Sequence, residues 1–225
     1  MESYFDRTIQ AIGPSAFDKL QNANIILFGA GGVGGWCAEA LVRTGVKHLT
    51  IVDFDIINPS NINRQLVAMR ANIGLPKVEQ LRKRLLNINP EADITVINER
   101  YCDKTAELFD FNQYDYVLDA IDSVPDKTLL ITKATRSSAT FFASMGAGRK
   151  YNPGEIRVGR FNKVYGCPLA RALRHHLKSY DNINTSFTCV WSPEISTDSG
   201  TIAPVVMTFG ATLADLVIND IIQCK

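Results

Sequence analysis

The sequence predicts an α/β fold in which a doubly wound, mostly parallel sheet carries an N-terminal helical arm and a C-terminal antiparallel extension. Short apolar runs alternate with helical patterns between residues 24 and 144, and the first run leads straight into a glycine-rich turn. Strands that alternate with helices form parallel sheets through right-handed crossovers. We therefore expect one domain over residues 1–225, with the arm at 1–23, a core at 24–150, and an extension with a closing helix at 151–225.

The arm is expected to contain two short helices. Residues 3–20 follow a helical pattern that Gly13-Pro14 interrupts, and Arg7 lies in the first helix. The first ten residues, MESYFDRTIQ, include acids and no apolar core, which argues against a signal peptide. We accordingly expect a cytoplasmic protein.

The core opens with a strand, a glycine turn and a helix. The run Ile25–Phe28 is apolar and partly β-branched, which is typical of a buried strand. The letters GAGGVG at 29–34 follow at once, and the residues after them are apolar at helical spacing. The next strand, His48–Val52, ends at Asp53, about twenty residues after the glycines. This βαβ unit is Rossmann-like.

The later elements continue the alternation and then change character. Up to residue 144 we predict an Asn-rich loop at 55–65, helices at 77–87, 104–109 and 125–138, and strands at 94–97, 116–118 and 140–144. Beyond Gly146 we predict an antiparallel strand at 156–161, a helix at 168–178, an irregular segment at 179–201 and an amphipathic closing helix at 208–222. The irregular segment is a candidate mobile loop near a substrate.

Composition limits the class of protein. A hydrophobic content of 46% can fill a sizeable core, and no uninterrupted apolar run approaches the length of about 20 residues that a membrane span needs. We therefore predict no membrane partner. The five cysteines are Cys37, Cys102, Cys167, Cys189 and Cys224. None forms a C-x-x-C pair, so we predict no zinc site and free thiols.

Positive charge is concentrated in one stretch, although the net charge is only +1. Its basic residues are Arg149, Lys150, Arg157, Arg160, Lys163, Arg171, Arg174 and Lys178. Glu155 is the only acid between residues 149 and 178. Such a stretch favours a polyanion site. A solvated helix face with scattered surface arginines is the alternative interpretation.

The glycine turn predicts a nucleotide site. Gly29 permits the tight turn, and Gly31 and Gly32 let the backbone approach a phosphate closely. The following helix offers its N-terminal N–H groups to an anion, and Asp53 can accept hydrogen bonds from ribose hydroxyls. These features alone leave a nicotinamide dehydrogenase open.

Further charged residues favour a nucleoside triphosphate over a dinucleotide. Arg64 and Lys77 could neutralise the β- and γ-phosphates, and Asp122 could hold Mg²⁺, which prefers hard oxygen ligands. Each also has an ordinary structural interpretation: a surface ion pair, a solvated residue at a helix start and a helix cap, respectively. The cofactors expected are ATP and Mg²⁺. The nucleotide-binding candidates are Gly29, Gly31, Gly32, Asp53, Asp55, Asn61, Arg64, Gln65, Lys77, Asp122 and Ser123.

Five motifs in order, GAGGVG, DFD, SNINRQ, GLPK and DAIDS, resemble the superfamily of ubiquitin-activating enzymes and their bacterial ThiF, MoeB and HesA relatives. The resemblance covers about residues 4–150. It implies that ATP adenylates a carboxylate, that Asp53 holds the ribose, and that Asp122 binds Mg²⁺. It also implies catalytic roles for Arg64 and Lys77, and a homodimer in which Arg7 enters the partner's site.

The C-terminal third is similar to the branch of tRNA threonylcarbamoyladenosine dehydratases. The similar segments are VLDAIDS at 117–123, the turn at 146–148, GCPLARALRHHLK at 166–178 and CVWSPE at 189–194. This resemblance implies ATP-dependent cyclisation of the threonylcarbamoyl group on adenosine 37 of tRNA. The expected tRNA contacts are Arg149, Lys150, Arg171, Arg174 and Lys178.

Two other functions stay open at this point. The chain could activate the C-terminal carboxylate of a ubiquitin-like or sulfur-carrier protein, or it could hold ATP without turnover. A cysteine-desulfurase or sulfur-acceptor system is a further candidate partner. Cys189 is a candidate reactive thiol, with a structural role beside Trp191 as the alternative. Residues 195–203 are short and contain no cysteine, which departs from the dehydratase pattern and weakens a sulfur relay there.

Overall fold

The computed structural model describes residues 4–181, 183–197 and 199–223. Within them the fold is α/β, as predicted, with helices packed on a mostly parallel sheet. The strands are β1 Asn24–Phe28, β2 His48–Val52, β3 Asp93–Ile97, β4 Tyr116–Asp119, β5 Thr140–Ser144, β6 Arg157–Arg160 and β7 Thr188–Trp191. The α-helices are α1 Asp6–Ile12, α2 Pro14–Asn22, α3 Gly34–Thr44, α4 Lys77–Ile88, α5 Val124–Ala134, α6 Pro168–Leu177 and α7 Ala203–Gln223.

The sheet order is β3-β2-β1-β4-β5-β7-β6. All neighbouring strands are parallel except β6 and β7, which are antiparallel. The chain leaves β1 toward β2 on one side, and β4 later pairs with β1 on the other side. Parallel sheets bind ligands at such a reversal, beyond the carboxyl ends of the strands.

Two apolar clusters flank the sheet. One includes Leu27, Leu41 and Phe209, and it joins α3, α4 and α7 to one face. The other includes Phe28 and Leu173, and it packs α5 and α6 against the opposite face. Because β1 and β4 are buried on both faces, they are continuous apolar runs in the sequence.

Helix α7 is long and apolar enough to cross a membrane by length and composition. In this structure it is a core helix, since eight of its residues are buried and it packs against α3. Gly210 allows the close crossing, because a Cβ there would lie 2.5 Å from the carbonyl oxygen of Val33. These interior contacts account for its apolar sequence.

The prediction that residues 179–201 are irregular is partly wrong, because β7 lies within them. Thr188–Trp191 pairs with β5 on one side and β6 on the other. Both partner strands are distant in sequence, and polar residues surround the four residues of β7. The local sequence pattern therefore did not indicate a strand. The strand predicted at 156–161 is confirmed as an antiparallel edge strand, Arg157–Arg160.

Three other boundaries also differ. The helix predicted at 104–109 is a single 3-10 turn, Ala106–Leu108. Helix α5 ends at Ala134 instead of residue 138. Just after its end, the hydroxyls of Thr135 and Ser137 donate hydrogen bonds to the carbonyls of Ile131 and Ala134. The closing helix begins at Ala203, five residues before the predicted start. Ser3 and Cys224 lie outside the described residues.

Candidate functional site

A cleft of about 560 Å³ opens at the carboxyl ends of β1 and β4. It lies where the strand order reverses, as the topology requires. The predicted nucleotide-binding residues meet there: all eleven, from Gly29 to Ser123, line this one cavity.

The glycine turn packs closely against the loop that follows β4. Gly29 has φ +94°, and a Cβ there would lie 2.8 Å from the carbonyl oxygen of Ala120. A Cβ on Gly34 would lie 1.7 Å from the carbonyl oxygen of Gly29, so helix α3 can start here only with glycine. A Cβ on Gly31 would have only the Gln65 amide nearby, at 3.8 Å. The turn therefore presents bare backbone to the cavity, as a phosphate cradle does.

Asp53 fixes the turn to the end of β2. Its Oδ2 accepts a hydrogen bond from the Ala30 N–H at 2.7 Å, and its Oδ1 accepts one from the Asp55 N–H at 2.8 Å. Burial raises the pKa of Asp53, and these two hydrogen bonds and Lys77 oppose that rise. Each carboxylate oxygen keeps a free lone pair, which a ribose hydroxyl could use.

Two cations line the same cavity. Lys77 begins α4 and is buried, and its ammonium lies 2.7 Å from Asp55 Oδ2. The Arg64 guanidinium donates at 2.8 Å to both the Ser60 carbonyl and Asn63 Oδ1. Local hydrogen bonds therefore hold both cations in place beside the glycine turn.

The SNINRQ loop supplies two amides. Asn61 is buried, and its Oδ1 accepts a hydrogen bond from the Asn58 N–H at 3.0 Å, which closes the 3-10 turn Pro59–Asn61. Gln65 lies one turn later and donates its N–H to the Asn61 carbonyl at 2.9 Å. The Gln65 Oε1 atom is buried without a hydrogen-bond partner. Such an atom needs a donor, and a ligand in the cavity could supply one.

The loop after β4 adds the carboxylate of Asp122. Asp122 is exposed and lines the cavity, and Ser123 occupies the N-cap position of α5 without a capping side-chain hydrogen bond. Within the described residues no group of three or more His, Cys, Asp or Glu residues could hold a metal ion. A single carboxylate fits Mg²⁺ only where substrate phosphates and water complete the shell, which is how Mg²⁺ commonly binds with nucleotides.

A buried ion pair lies beneath this loop, and the sequence analysis missed it. The Lys127 ammonium is 2.8 Å from Asp119 Oδ1, and both side chains are fully buried. The same Oδ1 accepts a hydrogen bond from the Ile121 N–H at 3.0 Å. Burial raises the pKa of Asp119, although Lys127 opposes the rise. The pair thus fixes the loop that carries Asp122.

An arginine on the far wall of the cleft was also missed. The Arg100 guanidinium lies 5.7 Å from the centre of the exposed Phe54 ring and donates to Asp126 at 2.9 Å. Both Arg100 and Phe54 line the cavity. A lone arginine after an edge strand carries no sequence signal that would separate it from a surface residue.

The remaining predicted residues lie elsewhere. Arg7 is exposed on α1 and does not line the cavity. Arg171 and Lys178 are exposed at α6, and Arg149 is exposed on the loop after β5, with φ +60°. Cys189 is buried in β7, where burial raises its pKa to about 12. A thiol in that setting is inert at neutral pH, which favours its structural role.

Two of the predicted tRNA contacts have partners within the protein. Lys150 is buried, and its ammonium donates to the carbonyls of Gly166 and Glu194. The Arg174 guanidinium lies over the Phe161 ring and donates to the carbonyls of Phe161 and Val164. These contacts hold the Lys150 ammonium inside the protein, and they engage one nitrogen of the half-buried Arg174 guanidinium.

A profile of the ThiF family matches residues 5–225 of the chain. The chain is 39% identical to the tRNA threonylcarbamoyladenosine dehydratase of Escherichia coli over 78% of this chain and 65% of that protein. It is 33% identical to the Bacillus subtilis dehydratase over 84% of this chain and 74% of that protein. A solved structure of the E. coli enzyme in complex with ATP superposes with a TM-score of 0.91 at 34% identity, covering 97% of this chain and 93% of that chain. The aligned region thus leaves part of both curated relatives unmatched.

Proposed function

The chain belongs to the ThiF family, and from that premise we propose that it is an ATP-dependent tRNA threonylcarbamoyladenosine dehydratase. One observation carries the proposal. All eleven predicted nucleotide residues line one cavity of a fold that matches an ATP-bound dehydratase over 97% of this chain. We also propose that the protein is located in the cytoplasm.

The reaction runs in two steps. In the first, a carboxylate oxygen of the threonylcarbamoyl group attacks the α-phosphorus of ATP, the bond between the α- and β-phosphates breaks, and pyrophosphate leaves. In the second, a ureido atom of the same group attacks the acyl carbon, the bond to AMP breaks, and the attacking atom gives up its proton. The oxygen lost from the substrate leaves with AMP, so the nucleoside loses one water. The nucleophile belongs to the substrate, and its proximity supplies a large effective molarity.

In this proposal the residues of the cleft bind and orient the nucleotide. The bare backbone of Gly31 and Gly32 holds phosphate, and Asp53 holds the ribose. Arg64 and Lys77 offset the negative charge that develops on the leaving pyrophosphate. Mg²⁺, when bound by Asp122 and phosphate oxygens, would supply further charge stabilisation.

The tRNA would lie along the exposed members of the basic stretch. Arg149, Arg171 and Lys178 support this, since all three are exposed; Arg171 lies on helix α6 and Lys178 is its C-cap residue. We leave Lys150 and Arg174 out of the surface because their charged groups bond to backbone carbonyls. Exposed arginines suit phosphate recognition through charge and directional hydrogen bonds.

We also propose a homodimer in which Arg7 reaches the partner's site. Six apolar residues in the loops between β2 and α4 are at least 40% exposed, which supports an interface there. They are Phe54, Ile56, Ile62, Met69, Ile73 and Leu75. Phe54 also lines the cleft, so such an interface would adjoin the nucleotide site.

Mass spectrometry of tRNA nucleosides tests the function directly. The protein would be incubated with ATP, Mg²⁺ and tRNA that carries uncyclised threonylcarbamoyladenosine. We expect ATP-dependent loss of one water from that nucleoside, and no loss with Asp122→Asn or without ATP. An unchanged nucleoside, together with ATP–pyrophosphate exchange that requires a small carrier protein ending in Gly-Gly, would instead favour the carrier-activating function.

A further inference from the structure

An exposed tyrosine lies at the start of α6, outside the nucleotide site. Tyr165 is 57% exposed, although Trp191 of β7 holds its ring at a centroid distance of 4.7 Å and an interplanar angle of 70°. Its hydroxyl accepts a hydrogen bond from Arg157 of β6 at 2.9 Å. We call Tyr165, Trp191 and Arg157 the aromatic platform. The ring is thus fixed in place yet mostly exposed, and tyrosine side chains of this kind are enriched at interfaces.

The platform is connected to the rim of the cleft. Gly166 follows Tyr165 with φ +68°, and a Cβ there would lie 2.2 Å from the carbonyl oxygen of Pro193. The buried Lys150 ammonium joins the Gly166 and Glu194 carbonyls, and it lies two residues after Gly148, which lines the cavity. Lys150 therefore has a positioning role: it ties three chain segments together beside the site.

A second connection runs along the chain. Leu169 lines the cavity and lies four residues after Tyr165, a span of at most about 14 Å. Bases stack about 3.4 Å apart along one strand. The distance from the platform to the cavity wall thus corresponds to a few nucleotides.

The surroundings of the platform are positive. Arg149 is exposed on the rim loop, and Arg160 is exposed on β6, where it donates to the Ser186 carbonyl at 2.8 Å. Glu155 pairs with Arg157 at 3.0 Å, and the Glu194 carboxylate accepts hydrogen bonds from backbone N–H groups at 151 and 152. The Glu194 carboxylate keeps its charge, but three arginines against two acids leave a net positive surface.

We propose that the aromatic platform stacks an unpaired base of the anticodon loop close to the modified adenosine, while the exposed arginines hold the adjoining phosphates. This inference rests on the proposed function and adds how the RNA is held. Proteins recognise single-stranded RNA chiefly by stacking splayed bases on aromatic side chains and arginine planes. The reacting group must also leave the loop to reach the cleft, and a stacked neighbour would hold the loop open.

Binding of an anticodon stem-loop RNA that carries threonylcarbamoyladenosine tests this. Tyr165→Leu removes the ring and keeps apolar cover for Trp191, and Tyr165→Phe keeps the ring and removes only the hydroxyl. We expect Tyr165→Leu to weaken RNA binding roughly 5- to 100-fold, since one stacked base contributes about that much. Tyr165→Phe should weaken RNA binding far less, and neither change should alter the dissociation constant of ATP.

Binding of abasic RNA separates base stacking from a purely structural role of Tyr165. In the unaltered protein, removing the base at one loop position should weaken binding as much as Tyr165→Leu does. The same abasic RNA should bind Tyr165→Leu with little further loss, because both changes remove the same contact. Thermal unfolding of each variant verifies the fold, and the abasic series needs no change in the protein.

The outcomes separate this inference from the proposed function. If the unaltered protein dehydrates the nucleoside, but folded Tyr165→Leu binds RNA normally, the platform is wrong and the proposed function stands. Additive losses for the variant and every abasic position would also overturn the platform. If the unaltered protein neither binds the stem-loop nor changes the nucleoside, both are wrong.

Discussion

Replacing Lys127 by methionine should destabilise the protein strongly, because it leaves the Asp119 carboxylate buried without its cation. The two groups are 2.8 Å apart and fully buried. At that distance, with an effective dielectric constant of about 20, their attraction is about 6 kcal/mol. Breaking buried pairs from one side typically costs about 3–5 kcal/mol, so we expect Lys127→Met to lose a similar amount of unfolding free energy.

Urea unfolding at neutral pH measures this loss, and two further variants control it. Lys133 lies on the same helix α5 and pairs with the exposed Glu107, so Lys133→Met should cost less than about 1 kcal/mol. The double variant Asp119→Asn/Lys127→Met buries no unpaired charge and should recover much of the stability. A loss below about 1 kcal/mol for Lys127→Met, or a double variant no more stable than the single one, would refute the reasoning.

The pH dependence of the same variant has a definite sign. Burial raises the pKa of Asp119, and losing Lys127 removes the group that opposes the rise. A carboxyl with a raised folded-state pKa favours folding below its unfolded pKa of about 3.9, and this stability is lost as pH rises through the folded pKa. The deficit of Lys127→Met relative to the unaltered protein should therefore shrink as the solution is acidified from neutral pH. A deficit that is constant with pH would mean that the carboxylate finds another partner.

Three other predictions concern the nucleotide end of the molecule and its supports. Gly34→Ala should cost roughly 3 kcal/mol in urea unfolding and weaken ATP binding, because the new Cβ would overlap the Gly29 carbonyl oxygen at 1.7 Å. Arg7→Ala and Asp122→Ala are each expected to be inactive, and mixed protomers should regain activity; no recovery despite proven subunit exchange would exclude action across a dimer. Glu39 is buried, which opposes ionisation, but hydrogen bonds from two arginines lower its pKa on balance. Its contribution, about 1 kcal/mol, is present above about pH 4.3 and is lost as pH falls through the lower folded pKa, so the loss of unfolding free energy in Glu39→Gln should be full at pH 7 and should shrink on acidification.

The nucleotide half of the fold could be predicted because its signals are local. A buried parallel strand is a continuous apolar run, Gly34 is required by the Gly29 carbonyl within the same βαβ unit, and Gly29 has a positive φ that favours glycine. Asp53 follows from its place at the end of β2, about twenty residues after the turn. Here each residue's role depends on neighbours that are close in sequence.

Strand β7 and the buried Lys127 could not be predicted in this way. Strand β7 has only four residues and lies in a polar segment, and its partners are about 30 or more residues away. From its sequence context, Lys127 would be predicted to be an exposed helix residue, because only the tertiary structure places Asp119 beside it. The contacts of β7 are distant in sequence, and the contact between Asp119 and Lys127, although they are only eight residues apart, depends on how α5 packs against β4, so composition and periodicity reveal neither.

The basic stretch shows how one sequence feature can divide into two physical roles. Lys150 and Arg174 both donate to backbone carbonyls, and Lys150 links the end of the core to the extension while Arg174 links segments of the extension, whereas Arg149 and Arg171 remain exposed. Internal cations of this kind fix the geometry of the rim, and exposed cations set the electrostatic attraction for a polyanion. Counting every basic residue as a phosphate contact would therefore overestimate the salt dependence of RNA binding, because a buried ammonium such as that of Lys150 releases no counterions from the nucleic acid.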